Sequence, residues 1–263
     1  MTTQLFRSIE EVIEGQQTSD GDGVKLTRVI GGGNLNRFDP FLMLDEFGSH
    51  EAADYIGGFP SHPHRGFETV TYMLNGSMEH RDHMNNVGKL DSGDVQWMKA
   101  GSGVIHSEMP RQEEGLMRGF QLWLNLPGAE KMKPATYQDL KSDSIPVYAT
   151  DGVKIKAIAG ELVSDGVQLK GAVSGLTTDP AYLDIEFKAS RSLTLEVPAG
   201  YTALVYVYEG EIALTDSDYL LGKGRLARLN KEGLLALNAR HDSRVLVITG
   251  KPIDEPIVQH GPF

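Results

Sequence analysis

The sequence has no cysteine. Disulfides, iron–sulfur clusters and thiolate zinc sites are therefore excluded, and the composition suits a reducing compartment. Long apolar runs are missing as well: none approaches the roughly 20 residues that a membrane-spanning helix needs. Residues Met1 to Gly15 carry Glu10, Glu11 and Glu14 and lack the basic start and apolar stretch of a secretion signal. These absences lead to the expectation of a soluble, cytoplasmic protein with no membrane partner. Basic residues are scarce, 25 against 36 acidic ones for a net charge of -11. Without a Lys/Arg run to offset that charge, direct nucleic-acid binding is not expected.

Helical periodicity is also rare. The apolar residues recur with a period of two in Val24-Leu26, Val70-Tyr72-Leu74, Val95-Trp97, Phe120-Leu122-Leu124, Leu193-Leu195-Val197, Leu204-Tyr206-Tyr208 and Val245-Val247. Short alternating runs separated by glycines predict an all-β sandwich or barrel. A chain of 263 residues has room for two such domains. The stretch from Pro127 to Pro146 breaks the rhythm with three prolines, so the expected division is residues 1–132, a linker at 133–146, and residues 147–263. An internal repeat supports two copies of one fold. At an offset of 134 residues, Thr69–Asp82 lies over Ala203–Asp216, with Tyr72 on Tyr206 and Gly76 on Gly210.

Three histidines and a glutamate stand in two alternating pairs, His62-Pro63-His64 and His106-Ser107-Glu108. Side chains at i and i+2 of a strand share a face, so each pair can aim two ligand atoms at one point. Two neighbouring strands would then surround one divalent transition metal with three imidazole nitrogens and a carboxylate, leaving positions open for substrate or oxygen. This donor set suits Fe(II), Mn(II), Ni(II) or Co(II), and zinc or copper can also bind it. At the offset of 134, His62 and His64 fall on Glu196 and Pro198. An offset that pairs Gly93 with Gly224 puts Leu237 and Ala239 where His106 and Glu108 stand. The second copy is therefore expected to carry no metal site and to fill its interior with Leu, Val and Tyr. Glu68 is in phase with His62 and His64 and can point inward. His80 and Asp82 read as a surface or strand-end pair, and His50, His83, His241 and His260 have no partner at ligand spacing. Phe59, Phe67, Trp97, Phe120 and Trp123 are core residues by the simplest reading. Phe59 and Trp123 could also wall a pocket for a flat ligand, with Gln121 as a polar contact. Gly31-Gly32-Gly33 and Gly222-Lys223-Gly224 lack nucleotide-loop spacing and are turns.

The order His62-x-His64-x3-Glu68, Gly76, Gly93, Gly103-x2-His106 resembles the two-part cupin motif. More narrowly, Arg37–Phe47, His62–Val70, Gln96–Met98, Ala100–Gly103, His106–Pro110, Gln121–Leu126 and Gln259–Phe263 resemble the pirin family. The resemblance implies a bicupin, two tandem jelly-roll barrels, with iron in the N-terminal barrel alone. It gives the Glu108 position the ligand role and leaves Glu68 as a supporting carboxylate, paired with Arg65. Some members of the family are quercetin 2,3-dioxygenases, and a eukaryotic branch acts in transcriptional co-regulation. The chain departs from the cupin pattern at Gly101, which replaces a proline. The expected function is thus a metal-dependent dioxygenase acting on a flavonol and O2, with Glu108 or Glu68 as proton acceptor and Phe59, Gln121 and Trp123 at the substrate. The alternative is a metal- or redox-responsive regulatory protein with a protein partner.

Overall fold

Alternating sequence becomes alternating burial. Strand Val87–Leu90 exposes and buries successive residues, and Val104–Pro110 buries Val104, His106 and Glu108 while Ile105 faces out. The structure is a computed structural model that describes residues 5–214, 219–259 and 261. Among these residues there is no α-helix, and no helix is long and apolar enough to cross a membrane. Asp216 and His260 lie outside the described residues.

The chain forms two units. The N-terminal barrel holds residues 16–144 and 253–263, and the C-terminal barrel holds 145–252 with residues 1–15. These boundaries differ from the expected ones at both ends and in the middle. Strand Ile9–Glu14 is hydrogen-bonded to Arg225–Leu229, and the buried Arg7 is bonded there as well. The Asp39 carboxylate accepts the backbone N–H groups of Ile253 and Asp254, at 2.8 and 2.7 Å, which fastens that stretch to the N-terminal barrel. The expected linker contains strand Thr136–Leu140, which pairs with Val95–Lys99 at a sheet edge. Its two prolines, Pro134 and Pro146, fall outside the strand, and its alternation is weak, as an edge strand permits.

Each barrel is a seven-stranded sheet facing a four-stranded one, all antiparallel. In the N-terminal barrel the large sheet runs Thr136–Leu140, Val95–Lys99, Phe67–Asn75, Met117–Asn125, Phe41–Ser49, Val24–Ile30, Gln16–Asp20. The small one runs Phe59–His64, Val104–Pro110, Met78–Asp82, Val87–Leu90. The C-terminal barrel repeats this order with Ile9–Glu14, Arg225–Leu229, Thr202–Glu209, Ser243–Gly250, Ala181–Phe187, Val153–Ala159, Val147–Thr150 over Arg191–Leu195, Leu235–Ala239, Glu211–Leu214, Leu220–Gly222. The repeat turns on Gly76 (φ +92°) and Gly210 (φ +71°), a left-handed backbone that glycine alone enters freely.

Strand register corrects the expected correspondence of the ligand positions. Leu195 stands across from Leu235 as His62 stands across from His106, and Leu214 across from Leu237 as His80 across from Glu108. His62 and His64 therefore correspond to Leu195 and Val197, and His106 and Glu108 to Leu235 and Leu237. The turns before and after the strands differ in length by one and two residues. An ungapped offset misses this, and a one-residue slip changes the face. These aliphatic side chains are buried in the C-terminal core and offer no ligand atom.

Candidate functional site

Residues directly opposite in an antiparallel sheet share a face. Register therefore divides the inner face of the large N-terminal sheet into rungs. One is apolar: Leu26, Phe47, Gly119 and Met73 pair in succession. The next is polar across six strands, Arg28–Asp45–Gln121–Thr71–Gln96–Asp139. Beyond it come Met43, Trp123, Thr69, Met98 and Tyr137. A polar strip inside a barrel must be satisfied internally. Arg28 grips Asp45 with two bonds of 3.0 and 2.7 Å and reaches Asp20 at 2.9 Å, and Gln96 donates to Asp139 at 2.9 Å. Burial raises the Asp45 carboxyl even against the pull of Arg28, whose own proton is held more tightly by the bond to Asp45.

Facing this strip, strands Phe59–His64 and Val104–Pro110 bring the three histidines together. The Nε2 of His62 lies 3.0 Å from Nε2 of His64 and 3.0 Å from Nε2 of His106. The three form the one His/Cys/Asp/Glu group among the described residues whose ligand atoms all lie within 4.8 Å of one another. The outer nitrogens are tied back. His62 Nδ1 donates to the carbonyl of Pro60 at 2.8 Å, and His106 Nδ1 lies 2.9 Å from Nε2 of His80. Burial, then the neighbouring rings, drives the His106 pKa far down, and burial lowers that of His80.

Glu108 is buried on the same strand as His106 but is not in the histidine group; its Oε1 accepts from Thr71 Oγ1 at 2.8 Å. The same hydroxyl is 2.7 Å from Gln121 Oε1. One hydroxyl carries one proton, so it cannot donate to both oxygens. With Thr71 donating to Glu108, the Gln121 amide is turned so that its N–H donates to Thr71. His62, His64, Thr71, Glu108 and Gln121 line a pocket of about 630 Å³ whose apolar walls include Phe47, Phe59, Met43 and Trp123.

Comparison with known proteins fits this arrangement. The family model described as Pirin matches residues 23–124, and the one described as Pirin C-terminal cupin domain matches residues 182–263. A Pseudomonas aeruginosa protein named "Putative quercetin 2,3-dioxygenase" is 51% identical over 260 residues, covering 98% of this chain and 91% of that one. The chain belongs to the pirin family. Human Pirin is 38% identical across 94% of this chain and 84% of its own. A crystal structure of quercetin 2,3-dioxygenase from Acinetobacter baumannii matches with a TM-score of 0.89 at 34% identity, over 98% of this chain and 92% of that one. The all-β bicupin architecture thus agrees with both sequence and structure.

Within this pirin-family barrel the other expected site residues are placed as follows. Phe59, Gln121 and Trp123 all line the pocket, and the Trp123 ring meets that of His64 edge-on at 5.0 Å. Glu68 does not line it. Its carboxylate accepts from the Trp97 indole at 3.0 Å, and it sits out of phase with Thr71 on the same strand. Gly101, where the cupin pattern has proline, takes φ +52°, and a Cβ there would lie 2.1 Å from the Lys133 carbonyl oxygen. Proline cannot adopt that φ, so the departure is a requirement of this turn.

Sequence alone makes His80 and Asp82 a surface or strand-end pair; Asp82 does end its strand, but His80 is 1% exposed and touches His106. A signal for it exists in the repeat. At the offset of 134 it aligns with Leu214, an apolar residue in an alternating run, and that marks the position as inward.

The donor set fits a metal on its own geometry. A carbonyl can only accept, so His62 carries its proton on Nδ1 and presents a bare lone pair to two other imidazole nitrogens at 3.0 Å. That one lone pair can accept one proton, so a proton on either partner leaves the other contact unrelieved, whereas a single cation among the three nitrogens satisfies them all. Nitrogens bound at roughly 2.0–2.2 Å and about a right angle to one ion are about 3 Å apart.

Proposed function

We propose that this chain is a metal-dependent dioxygenase that opens the central ring of flavonols with O2, with Fe(II) as its working metal. The observation that carries this reading is the convergence of three imidazole Nε2 atoms on a pocket with apolar walls and one buried, hydrogen-bonded carboxylate. The names of the Pseudomonas and Acinetobacter relatives support the reaction class, and the family resemblance supports iron. His62, His64 and His106 would hold the ion, which supplies there a Lewis acid for the flavonol's adjacent oxygens and a route for electrons to O2.

The chain's own residues do the rest. Phe59, Trp123, Met43 and Phe47 clamp the flat rings and displace water, which strengthens every polar interaction in the pocket. Glu108 lines the pocket and Glu68 does not, so the proton released when the flavonol hydroxyl ionises goes to Glu108. Thr71 holds that carboxylate in place, and Gln121 holds Thr71. Only Oε1 of Glu108 is engaged by Thr71, so its second oxygen could serve as a fourth ligand after a shift toward the histidines. In the overall balance a flavonol and O2 give a phenolic ester, which keeps both oxygen atoms, and carbon monoxide.

The test is oxygen uptake and carbon monoxide release by protein purified without oxygen, loaded with Fe(II) and offered a panel of flavonols. Turnover that disappears with a chelator and in His62→Ala is expected. Glu108→Gln should keep its metal and lose turnover. If the loaded protein consumes no more oxygen than free iron does, the regulatory reading takes its place.

A further inference from the structure

His80 has no part in the reaction described above, yet it is the most deeply buried polar neighbour of the histidine group. It is 1% exposed, stands directly across from Glu108 in the strand pairing, and places its Nε2 2.9 Å from Nδ1 of His106. Two neutral imidazoles at that distance share one hydrogen bond, with one ring donating and the other accepting. If His80 donated, the proton of His106 would sit on Nε2, the atom that faces His62 at 3.0 Å, and His106 could not be a ligand. If His80 accepts, His106 keeps its proton on Nδ1 and presents a bare Nε2 to the group. A metal ligand's back-side partner fixes both tautomer and ring orientation in this way.

The carbonyl of Pro60 does the same for His62. The choice for His106 is unusual. A backbone oxygen accepts whatever happens, whereas an imidazole accepts only while it is neutral and correctly turned. The C-terminal barrel shows what the fold places there without such a duty, since Leu214 occupies the matching position opposite Leu237 and is fully buried. The barrel therefore tolerates an aliphatic side chain at this point, and a histidine there serves the neighbouring ring.

We infer that His80 is a positioning residue: by accepting a hydrogen bond from Nδ1 of His106 it holds that ring in the tautomer and orientation that let Nε2 bind a metal. The inference rests on the proposed metal site but does not require the oxygenase chemistry, so its test reads metal binding directly. Co(II) affinity, measured by competition with a chelator, and the Co(II) absorption spectrum are compared in wild type, His80→Leu and His80→Gln. The melting of each metal-free protein is followed alongside. Leucine should weaken Co(II) binding about 10- to 100-fold, the usual effect of losing such a partner, alter the spectrum, and leave the metal-free protein at least as stable. Glutamine, whose amide oxygen can accept from Nδ1, should restore affinity to within about threefold of wild type by keeping one hydrogen bond of ordinary strength. His80→Leu with wild-type affinity and spectrum would overturn the inference. So would glutamine behaving like leucine, because shape rather than hydrogen-bond acceptance would then be what matters. Wild type that takes up no Co(II) would overturn the metal site and this role together, whereas normal uptake without oxygenase activity would leave His80's role standing.

Discussion

Replacing Thr71 with valine removes one oxygen from the centre of the polar rung and almost nothing else. The two side chains have nearly the same shape, so no cavity opens. What is lost is the bond to Glu108 Oε1 at 2.8 Å and the tie to Gln121 at 2.7 Å, both in a site where Thr71 and Glu108 are 2% and 5% exposed. A hydrogen bond to a charged group is worth about 1.5–3 kcal/mol, and an orphaned buried acceptor costs a similar amount. Thr71→Val should therefore destabilise the N-terminal barrel by about 2 kcal/mol, which lowers its melting temperature by roughly 4–8 °C at this chain length. The barrel has its own reporter: both tryptophans of the chain, Trp97 and Trp123, lie within it, so their fluorescence follows this unit. With Glu108 loosened but still present, oxygen uptake should fall by about tenfold, less than the roughly 100- to 10,000-fold of a general base removed outright, while metal content stays unchanged. Thr71→Ser keeps the hydroxyl and should recover most of both losses. If valine melts with wild type and turns over normally, or if serine is no better than valine, the hydroxyl does not hold Glu108 and the proposed proton path fails.

Arg7 is fully buried, and its five N–H donors meet five backbone carbonyls, those of Gly233, Tyr201, Asn230, Val197 and Pro198. Arg7→Lys offers only three donors and should cost about 2–4 kcal/mol through the carbonyls it strands. Chemical denaturation followed by circular dichroism should detect this loss, with the tryptophan transition unmoved; a curve that overlays wild type would contradict it. Burial raises the Glu68 pKa, with the Trp97 bond opposing. A raised carboxyl binds more protons when folded, so its contribution to stability falls as pH rises from the ordinary glutamate range through the raised value. Glu68→Gln should thus gain on wild type over that window in pH-dependent melting, with oxygen uptake unaffected; a constant gap would refute the burial argument. His106→Ala should empty the site in elemental analysis while the tryptophan melting transition persists, and full occupancy would remove His106 from the ligand set.

Alternation with period two is a local signal. This is why the strands, the repeat and the pairs His62/His64 and His106/Glu108 could be read from the chain itself. What alternation does not carry is register between distant strands. Glu68 looked inward because it shares the even phase of His62 and His64, but the Arg65-Gly66 turn separates their strands and resets the phase. Thr71, odd-numbered, is the residue that faces the pocket. Residues 1–15 and 253–263 belong to barrels that the order of the chain does not reveal, for the same reason. Their neighbours in sequence belong to one barrel, and their hydrogen-bond partners, Arg225–Leu229 and Asp39, belong to the other stretch of chain.

The two barrels form a comparison inside one molecule. At matching positions one holds His62, His80, His106 and Glu108 and the other Leu195, Leu214, Leu235 and Leu237. Burying each leucine stabilises the C-terminal barrel by about 1.5–3 kcal/mol, a gain the polar set cannot match. The N-terminal barrel offsets this with hydrogen bonds along its polar rung, from Arg28–Asp45 to Gln96–Asp139, and with a separate apolar cluster around Phe47, Met73 and Met78. Both the histidines and the rung that faces them depart from the favourable aliphatic solution, and they do so on one pocket. Leucine is the more stabilising side chain at such buried positions, and the C-terminal barrel holds it at all four. The proposed function gives these polar groups a shared purpose: His62, His64 and His106 would hold a cation, His80 would orient His106, and Glu108 would serve the ligand beside them.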